Sequence, residues 1–137
     1  MRAVRFAGHG GREMLQVDKV ETPEPGPTEV LVDVAACGVN RVDILSRDGE
    51  TPGPIALPHT SGSEVSGGVW AAGSETRFHE GDRVLVNPVL SCGRCEFCLT
   101  GRDNLCLEGR ILGVQTEGGY ADHVLVCLLY TSDAADE

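Results

Sequence analysis

Hydrophobic and polar residues alternate along most of the chain in short stretches that are separated by turn-forming residues. The clearest stretch covers residues 29–36 (EVLVDVAA), in which Val30, Val32 and Val34 share one face and Asp33 lies on the other. A period of two residues is typical of a strand with one buried face. Similar patterns predict further strands at residues 1–6, 14–20, 64–71, 83–87, 111–114 and 120–126.

One stretch carries the signals of a helix. Residues 40–47 (NRVDILSR) predict a short helix with Asn40 as its N-cap and Gly49 just past its end. Residues 48–58 are rich in proline and glycine and predict a loop, while Gly67 and Gly68 indicate a bulge or a close backbone approach within a strand. Many short strands with frequent turns favour a barrel or a sandwich.

Composition and charge narrow the class of protein. The 137 residues fit a single domain, and an aromatic content of only 4% means that the core is built from aliphatic side chains. A net charge of −10 repels phosphate backbones, so we expect no nucleic acid partner. We also expect no membrane partner and a cytoplasmic location, because the chain has neither a membrane-spanning apolar run nor a signal-peptide core.

Four cysteines in a C-x2-C-x2-C-x7-C pattern are the strongest chemical signal; they are Cys92, Cys95, Cys98 and Cys106. Four thiolates close a tetrahedron around Zn²⁺ at about 2.3 Å per bond and leave no position for water or substrate. An iron–sulfur cluster and disulfides are the alternatives, although the bacterial cluster motif has three residues before its last cysteine and a proline after it. We therefore predict one structural zinc in a lobe that spans residues 92–106.

A family resemblance follows from several motifs taken together and in order. PEPGPTEVLVDVAACGVN, GSEVSG, GDRVLVNP, the cysteine run and GGYADHVLV resemble the N-terminal, GroES-like domain of medium-chain dehydrogenases/reductases, a group that includes zinc alcohol dehydrogenases and quinone oxidoreductases. The resemblance covers residues 1–126. It implies a mainly β fold, a GroES-like partly open β-barrel with a short helix and a zinc-binding lobe, which shapes the substrate side of a cleft.

The resemblance also implies a second domain that binds NAD(P). No G-x-G-x-x-G motif within a βαβ unit occurs in these residues, so we expect the Rossmann domain to be absent and this fragment to be inactive alone. Residues 127–137 (CLLYTSDAADE) break the strand pattern and are predicted to be a tail foreign to the family. A non-enzymatic, zinc-stabilised barrel module is the alternative interpretation. In relatives the zinc lobe lies near subunit contacts, which predicts a homo-oligomer.

The resemblance also indicates that the catalytic zinc of alcohol dehydrogenases is missing here. That metal is held by a cysteine in a G-x-C motif and a histidine in a G-H-E motif, whereas this chain reads GVN and GSE at those places. Asn40 and Ser63 are poor zinc ligands, and a catalytic zinc needs about three protein ligands. They remain hydrogen-bond donors for the oxygen of a carbonyl, enone or quinone. The candidate catalytic residues are therefore Asn40, Ser63 and Glu64.

Neighbouring residues admit two interpretations each. Asp43 and Glu64 match acidic positions beside the catalytic metal, but Asp43 also suits the first turn of a helix. Arg41 matches a position that meets the cofactor pyrophosphate in some relatives, and an exposed arginine without that role is the alternative. Cys37 and His59 would supply a rearranged metal site for a zinc-dependent alcohol dehydrogenase. A small buried cysteine and a packing histidine are the alternative.

Overall fold

The computed structural model describes residues 1–127 in full and the backbone of residues 131–133. Its helices are α1 (Arg41–Asp48) and α2 (Glu96–Leu99), with 3₁₀ turns at Arg12–Met14 and Asp103–Leu105. Its strands are β1 (Arg2–Phe6), β2 (Leu15–Lys19), β3 (Glu29–Gly38), β4 (Glu64–Ala72), β5 (Arg83–Val86), β6 (Val89–Leu90), β7 (Arg110–Ile111), β8 (His123–Cys127) and β9 (Thr131–Asp133). The predicted mainly β fold is confirmed.

Three antiparallel sheets form the architecture. The largest has the strand order β8-β3-β4-β5-β9, and the pairs β1-β2 and β6-β7 form two smaller sheets. Strand β1 is tied to the segment before β8, since the Val4 nitrogen donates to the Tyr120 carbonyl at 2.7 Å and the Asp122 nitrogen donates to the Arg2 carbonyl at 2.9 Å. The described strands do not close into a ring, as expected for a partly open barrel.

The core lies against β3. Val30 and Val32 are fully buried, as the alternation predicted, but Leu31 on the opposite face is 2% exposed as well. A strand in the middle of a sheet is covered on both faces when loops pack over its outer side, and the alternation then loses its contrast. The core cluster is aliphatic apart from one phenylalanine and consists of Val30, Val32, Val65, Val69, Phe78, Val84, Val86, Leu112, Val124 and Val126.

Strand β4 approaches its neighbour closely at the predicted place. A Cβ added to Gly67 would collide with the Asp33 carbonyl oxygen of β3. The β3–β4 register shifts on either side of this point, between Leu31 and Val32 and between Val34 and Ala36. The close backbone approach predicted at Gly67 is therefore confirmed, and it requires a residue without a side chain.

Helix α1 matches its prediction closely. It begins after Asn40, whose backbone is extended, and its C-cap Gly49 adopts the left-handed conformation with φ 81°. Carbonyl groups of the last turn accept bonds from the Gly49 and Glu50 nitrogens. Within the described residues, no helix is long and apolar enough to cross a membrane.

Two predicted strands have different bounds. Residues 112–114 are not a strand but a turn in which the Val114 nitrogen donates to the Ile111 carbonyl at 3.1 Å, although Leu112 and Val114 are buried. Strand β8 begins at His123 instead of residue 120, because the Tyr120 nitrogen donates to Ser61 outside the sheet. Of the predicted tail, Cys127 ends β8 and residues 131–133 pair with β5; residues 128–130 and 134–137 lie outside the described residues.

Candidate functional site

The four predicted zinc ligands lie in one lobe that leaves the barrel at β6 and returns at β7. We call residues 92–106 the metal lobe. All four Sγ atoms lie within 4.8 Å of one another. The Sγ–Sγ separations are 3.9 Å for Cys92–Cys98, 3.4 Å for Cys95–Cys98 and 3.9 Å for Cys95–Cys106. Sulfurs bound to one tetrahedral zinc at about 2.3 Å would lie about 3.8 Å apart, so the four ligands fit one zinc ion.

The same distances bear on the alternatives. A disulfide needs about 2.05 Å between sulfurs, and all six cysteines are free thiols. A cluster with several iron atoms at its centre would hold its cysteines further apart than a single ion does. The compact arrangement therefore favours a mononuclear site.

Backbone donors prepare the sulfurs to bind a cation. The Cys92 nitrogen donates to Cys106 Sγ at 3.2 Å, and the Cys95 nitrogen donates to Cys92 Sγ at 3.3 Å. The backbone N–H of Cys98 is the main reason why the pKa of the Cys95 thiol is lowered to about 6. The thiolate is the form that binds metal, and Cys95 loses its proton more readily than an ordinary cysteine. At Cys106 the backbone N–H of Cys92 acts to lower the pKa, but burial and hydrogen bonds with the Cys92 and Cys98 thiols outweigh it and raise the pKa to about 11, so the four sulfurs are not prepared equally.

A second candidate site lies beside the N-terminus of α1, where three segments of the chain meet. These are residues 38–43, residues 60–64 and residues 118–120; we call the first two the site loops. The Gly118 nitrogen donates to the Thr60 carbonyl at 2.8 Å and the Tyr120 nitrogen donates to the Ser61 carbonyl at 3.0 Å. Gly62 has φ +108°, and an added Cβ would lie 2.8 Å from Cys37 Sγ, so only glycine fits there.

Asp43 is the buried centre of this second site. Its Oδ2 accepts a hydrogen bond from the Asn40 nitrogen at 2.8 Å and its Oδ1 accepts one from the Gly62 nitrogen at 3.1 Å. The Tyr120 hydroxyl donates to Oδ2 at 2.7 Å. These contacts support the structural interpretation of Asp43, because the carboxylate caps the start of the helix and binds both site loops.

The side chains of Asn40 and Ser63 offer unused donors at this site. Asn40 Nδ2 and Ser63 Oγ are buried and have no hydrogen-bond partner. A buried polar group without a partner costs about 1–3 kcal/mol, so two such groups on adjoining loops require an explanation. Glu64 is exposed, and its carboxylate lies against Gly38 at the rim of a cavity of about 320 Å³.

Arg41, the predicted cofactor-binding residue, lies on the first site loop. It is exposed on the first turn of α1, and no hydrogen bond or ion pair with another described residue holds its guanidinium.

A larger cavity of about 700 Å³ lies elsewhere, between the metal lobe and β8. Of the predicted site residues only Cys92 lines it, so cavity size alone would have pointed away from Asn40 and Ser63.

Cys37 and His59 do not form a metal site with a third ligand. His59 is 3% exposed, packs edge-on against Phe6 and forms a hydrogen bond through Nε2 with the Gly113 carbonyl at 2.9 Å. Burial, followed by the charges of Asp43 and Glu64, raises the pKa of the Cys37 thiol to about 11. Among the fully described residues, neither belongs to a cluster of three ligating side chains. The packing interpretations of both residues are supported.

Tyr120 is the residue of this site that the sequence did not reveal. Its hydroxyl contacts Asp43, which lies 77 positions away along the chain. In the sequence it stands at the start of a strand-like stretch, GGYADHVLV, where an aromatic residue is ordinary. The two preceding glycines were the only available signal of a close packing point.

Comparisons with known proteins agree with this architecture. The family described as "Alcohol dehydrogenase GroES-like domain" matches residues 26–129. An NAD-dependent alcohol dehydrogenase of Saccharolobus solfataricus is 36% identical over 92% of this chain and 38% of its own length. A quinone oxidoreductase of Mus musculus is 39% identical over 77% of this chain and 32% of its own length.

Solved structures show the same similarity. The crystal structure of an NAD-dependent alcohol dehydrogenase matches with a TM-score of 0.93 at 43% identity and covers 97% of this chain and 39% of that one. A cobalt- and zinc-bound thermostable alcohol dehydrogenase from Pyrobaculum aerophilum matches with a TM-score of 0.90 at 39% identity, over 97% of this chain and 41% of that one. The chain thus spans roughly two-fifths of the length of these relatives.

Proposed function

Because the chain belongs to the alcohol dehydrogenase GroES-like domain family, we propose that it is the substrate-side domain of a longer NAD(P)-dependent oxidoreductase. The proposed reaction is hydride transfer to or from a carbonyl, an enone or a quinone. The names of the relatives, which include alcohol dehydrogenases and a quinone oxidoreductase, support this class of reaction. Residues 1–126 form the core of the proposed domain. Residues 127–137 are proposed to be foreign to the family in sequence, although Cys127 ends β8 and residues 131–133 add a strand beside β5.

Several buried polar atoms lack a hydrogen-bond partner, and those of Asn40 and Ser63 carry this proposal because they lie on the two site loops at the motif positions described above. Hydride arrival builds negative charge on an oxygen of the substrate, and fixed donors aimed at that oxygen lower the barrier. The Asn40 amide and the Ser63 hydroxyl have the required unused donors. Enones and quinones suit such a site, because their developing charge is delocalised and needs no metal to hold it.

The cofactor and the metal divide the remaining roles. NAD(P)H supplies the hydride when it is bound, and the exposed Arg41 is the proposed contact of its pyrophosphate. Cys92, Cys95, Cys98 and Cys106 hold one zinc, which cross-links the metal lobe and has no open position for a substrate. Glu64, at the rim of the small cavity, is the proposed polar group that faces the substrate.

A catalytic zinc beside α1 is not part of the proposal. The two ligand positions hold neutral oxygen-bearing side chains, which bind zinc poorly. Cys37 keeps its proton at neutral pH because its pKa is raised, and His59 already binds Gly113. Elemental analysis of the purified protein is therefore expected to give one zinc per chain, and two would contradict this assignment.

The test of the reaction uses the longer parent protein. Its turnover of an enone, a quinone and a simple alcohol is measured with NADH or NADPH and with the corresponding oxidised cofactors. We expect enone or quinone reduction, and Asn40→Ala or Ser63→Ala should lower kcat about 10²–10³-fold, as loss of one oxyanion donor does. Ser61→Ala is the matched control, because Ser61 is also a buried serine without a hydrogen-bond partner and lies two residues before Ser63.

Two outcomes would overturn the proposal. Strong alcohol oxidation that a chelator abolishes would show a catalytic metal and favour a zinc-dependent alcohol dehydrogenase. No turnover of any substrate with either cofactor would favour a zinc-stabilised binding module.

A further inference from the structure

We propose that Tyr120 is a positioning residue, whose hydroxyl holds the buried Asp43 carboxylate so that the two site loops keep Asn40 and Ser63 in fixed relative positions. What the loops do rests on the function proposed above. The tie itself is a property of this chain and is testable without any activity.

The contact between Tyr120 and Asp43 has the geometry of a strong hydrogen bond. The hydroxyl oxygen lies 2.7 Å from Asp43 Oδ2 and 3.2 Å from the Gly38 carbonyl oxygen. A hydroxyl has a single proton, and a carboxylate at 2.7 Å attracts it more strongly than a carbonyl at 3.2 Å. Tyr120 therefore donates to Asp43 and keeps a weaker contact with the backbone before Asn40.

Asp43 transmits the position of Tyr120 to both site loops. One carboxylate oxygen accepts a hydrogen bond from the backbone nitrogen of Asn40 itself. The other accepts one from the backbone nitrogen of Gly62, directly before Ser63. Rotation of the carboxylate would break or bend both bonds together. The hydroxyl of Tyr120, which comes from a third segment, is the side-chain contact that fixes this rotation.

Backbone hydrogen bonds on both sides anchor Tyr120. Its backbone nitrogen donates to the Ser61 carbonyl at 3.0 Å, and its backbone carbonyl accepts from the Val4 nitrogen of β1 at 2.7 Å. The Gly62 carbonyl also accepts from the Gly119 nitrogen at 2.8 Å. A side chain held by such an anchor can act as a reference point for a neighbouring loop.

The surroundings of Tyr120 keep its proton in place. Burial raises the pKa of the phenol, and the hydrogen bond and charge of Asp43 and the nearby Cys37 and Glu64 raise it further. The hydroxyl therefore stays protonated, and able to donate, across the neutral and mildly alkaline range.

The first experiment measures amide hydrogen exchange by NMR in the 137-residue chain. Tyr120→Phe keeps the ring and removes only the hydroxyl. We expect the Asn40 and Gly62 amides to exchange at least about tenfold faster, while the amides of β3 keep their rates. Unchanged exchange at both amides would overturn the proposal.

Asp122→Asn is the matched control for general loosening. Asp122 lies two residues from Tyr120 and makes an equally long-range tie, to Arg2, without touching Asp43. We expect it to leave the Asn40 and Gly62 rates unchanged. Equal acceleration by both variants would show a purely structural effect and would contradict a specific role of the hydroxyl.

A spectroscopic measurement checks the partner of the hydroxyl. The difference in tyrosinate absorbance between the wild type and Tyr120→Phe isolates the titration of Tyr120 from that of Tyr130, the second tyrosine. In Asp43→Asn this titration should move down towards the ordinary value of about 10. If it does not move, Asp43 is not the acceptor and the proposal fails.

Kinetics of the longer parent separate this inference from the proposed function. Tyr120→Phe should lower kcat more than it changes KM, since it misplaces the donors while Tyr120 lines neither of the two described cavities, and Asp122→Asn should change neither constant. If the parent has no dehydrogenase activity, the proposed function fails while the exchange result still decides the tie. If the parent is active and Tyr120→Phe keeps its kcat, the positioning role fails.

Discussion

The barrel and the metal lobe of this chain are stabilised in opposite ways. The barrel buries an aliphatic cluster contributed by β3, β4, β5 and β8, which are distant in sequence. In the metal lobe, residues 92–106, no side chain is buried, and Leu99 is 74% exposed. Its four cysteine sulfurs lie within fifteen positions of one another, and the zinc proposed to bind them would supply its order.

The difference teaches where each region is vulnerable. Hydrophobic burial is spread over many side chains, so the loss of one removes only a part of the stability of the barrel. A ligand set acts as a unit, because three sulfurs do not complete the tetrahedral shell that makes the site closed. A single core substitution should therefore lower the stability of the barrel only in part, whereas the loss of one ligand should disorder the whole lobe.

Removal of one zinc ligand is expected to have the largest effect. Cys95→Ser should take the zinc content from one ion per chain to none and loosen the backbone around Arg94 and Arg102, so that trypsin cleaves there roughly 100-fold faster. The barrel should stay folded, as seen from protected β3 amides. Cys127→Ser, at the end of β8, is the control and should keep the metal. A Cys95→Ser protein with its zinc and its trypsin resistance intact would refute the four-sulfur assignment.

The same truncation in the two regions should separate them clearly. Leu112→Ala removes a side chain that is 1% exposed in the core, and we expect a loss of about 2–5 kcal/mol in the free energy of unfolding. Leu99→Ala in the metal lobe should stay within about 0.5 kcal/mol of the wild type. Urea unfolding followed by circular dichroism measures both. Similar losses would mean that Leu99 is covered in solution.

Gly62 and Gly53 have similar φ angles, so replacing each with alanine separates the effect of backbone strain from the effect of crowding. Gly62→Ala places a Cβ at φ +108° and 2.8 Å from Cys37 Sγ, so backbone strain and overpacking of about 1–3 kcal/mol each should add. Gly53→Ala, at φ +105° with no atom within 4 Å, should lose only the strain. Urea unfolding is again the measurement. Equal losses would show that the site loops yield to the extra methyl group.

The smallest effect concerns the surface pair that ties β1 to the segment before β8. The hydrogen bond from Arg2 lowers the pKa of the Asp122 carboxyl to about 2, below its unfolded value of about 3.9. Because the folded pKa is depressed, the ionised carboxyl stabilises the fold at pH values above the unfolded pKa. This stabilisation is lost as the pH falls through about 2. The stability difference between the wild type and Asp122→Asn should therefore be largest from pH 5 to 7, begin to shrink below about pH 4 and disappear below about pH 2.

Salt offers an independent check on that surface pair. Because Arg2 is exposed and Asp122 is only partly buried, the difference at neutral pH should shrink in about 1 M salt. A difference that persists well below pH 2 would have to come from something other than the ion pair.

Local patterns predicted the elements whose causes are local. Strand β3, helix α1 with its caps, and the cysteine lobe each follow from residues that are close in sequence. Residues 111–114 show the limit of this approach. Leu112 and Val114 are buried from a turn, and single-sequence periodicity does not distinguish a buried turn from a short strand.

The contacts at the second site could not be predicted from the sequence, because they join residues that are far apart along the chain. Asn40 and Ser63 were found through motif positions, but the carboxylate that joins their loops receives its third hydrogen bond from Tyr120, 77 residues further along. No local pattern encodes such a pair, because the segments meet only after β1, β3 and β4 are in place. The burial of His59 against Phe6 was hidden for the same reason.

Because β6 pairs with β7, the segment that contains the metal lobe begins and ends at the same place and could be removed as a unit. Leu90 and Arg110 face each other where the chain leaves the barrel and where it returns, so the ends of the intervening segment are already adjacent. A two-residue hairpin could join them without any change in the five-stranded sheet. Gain or loss of a zinc module at this position would leave the site loops untouched.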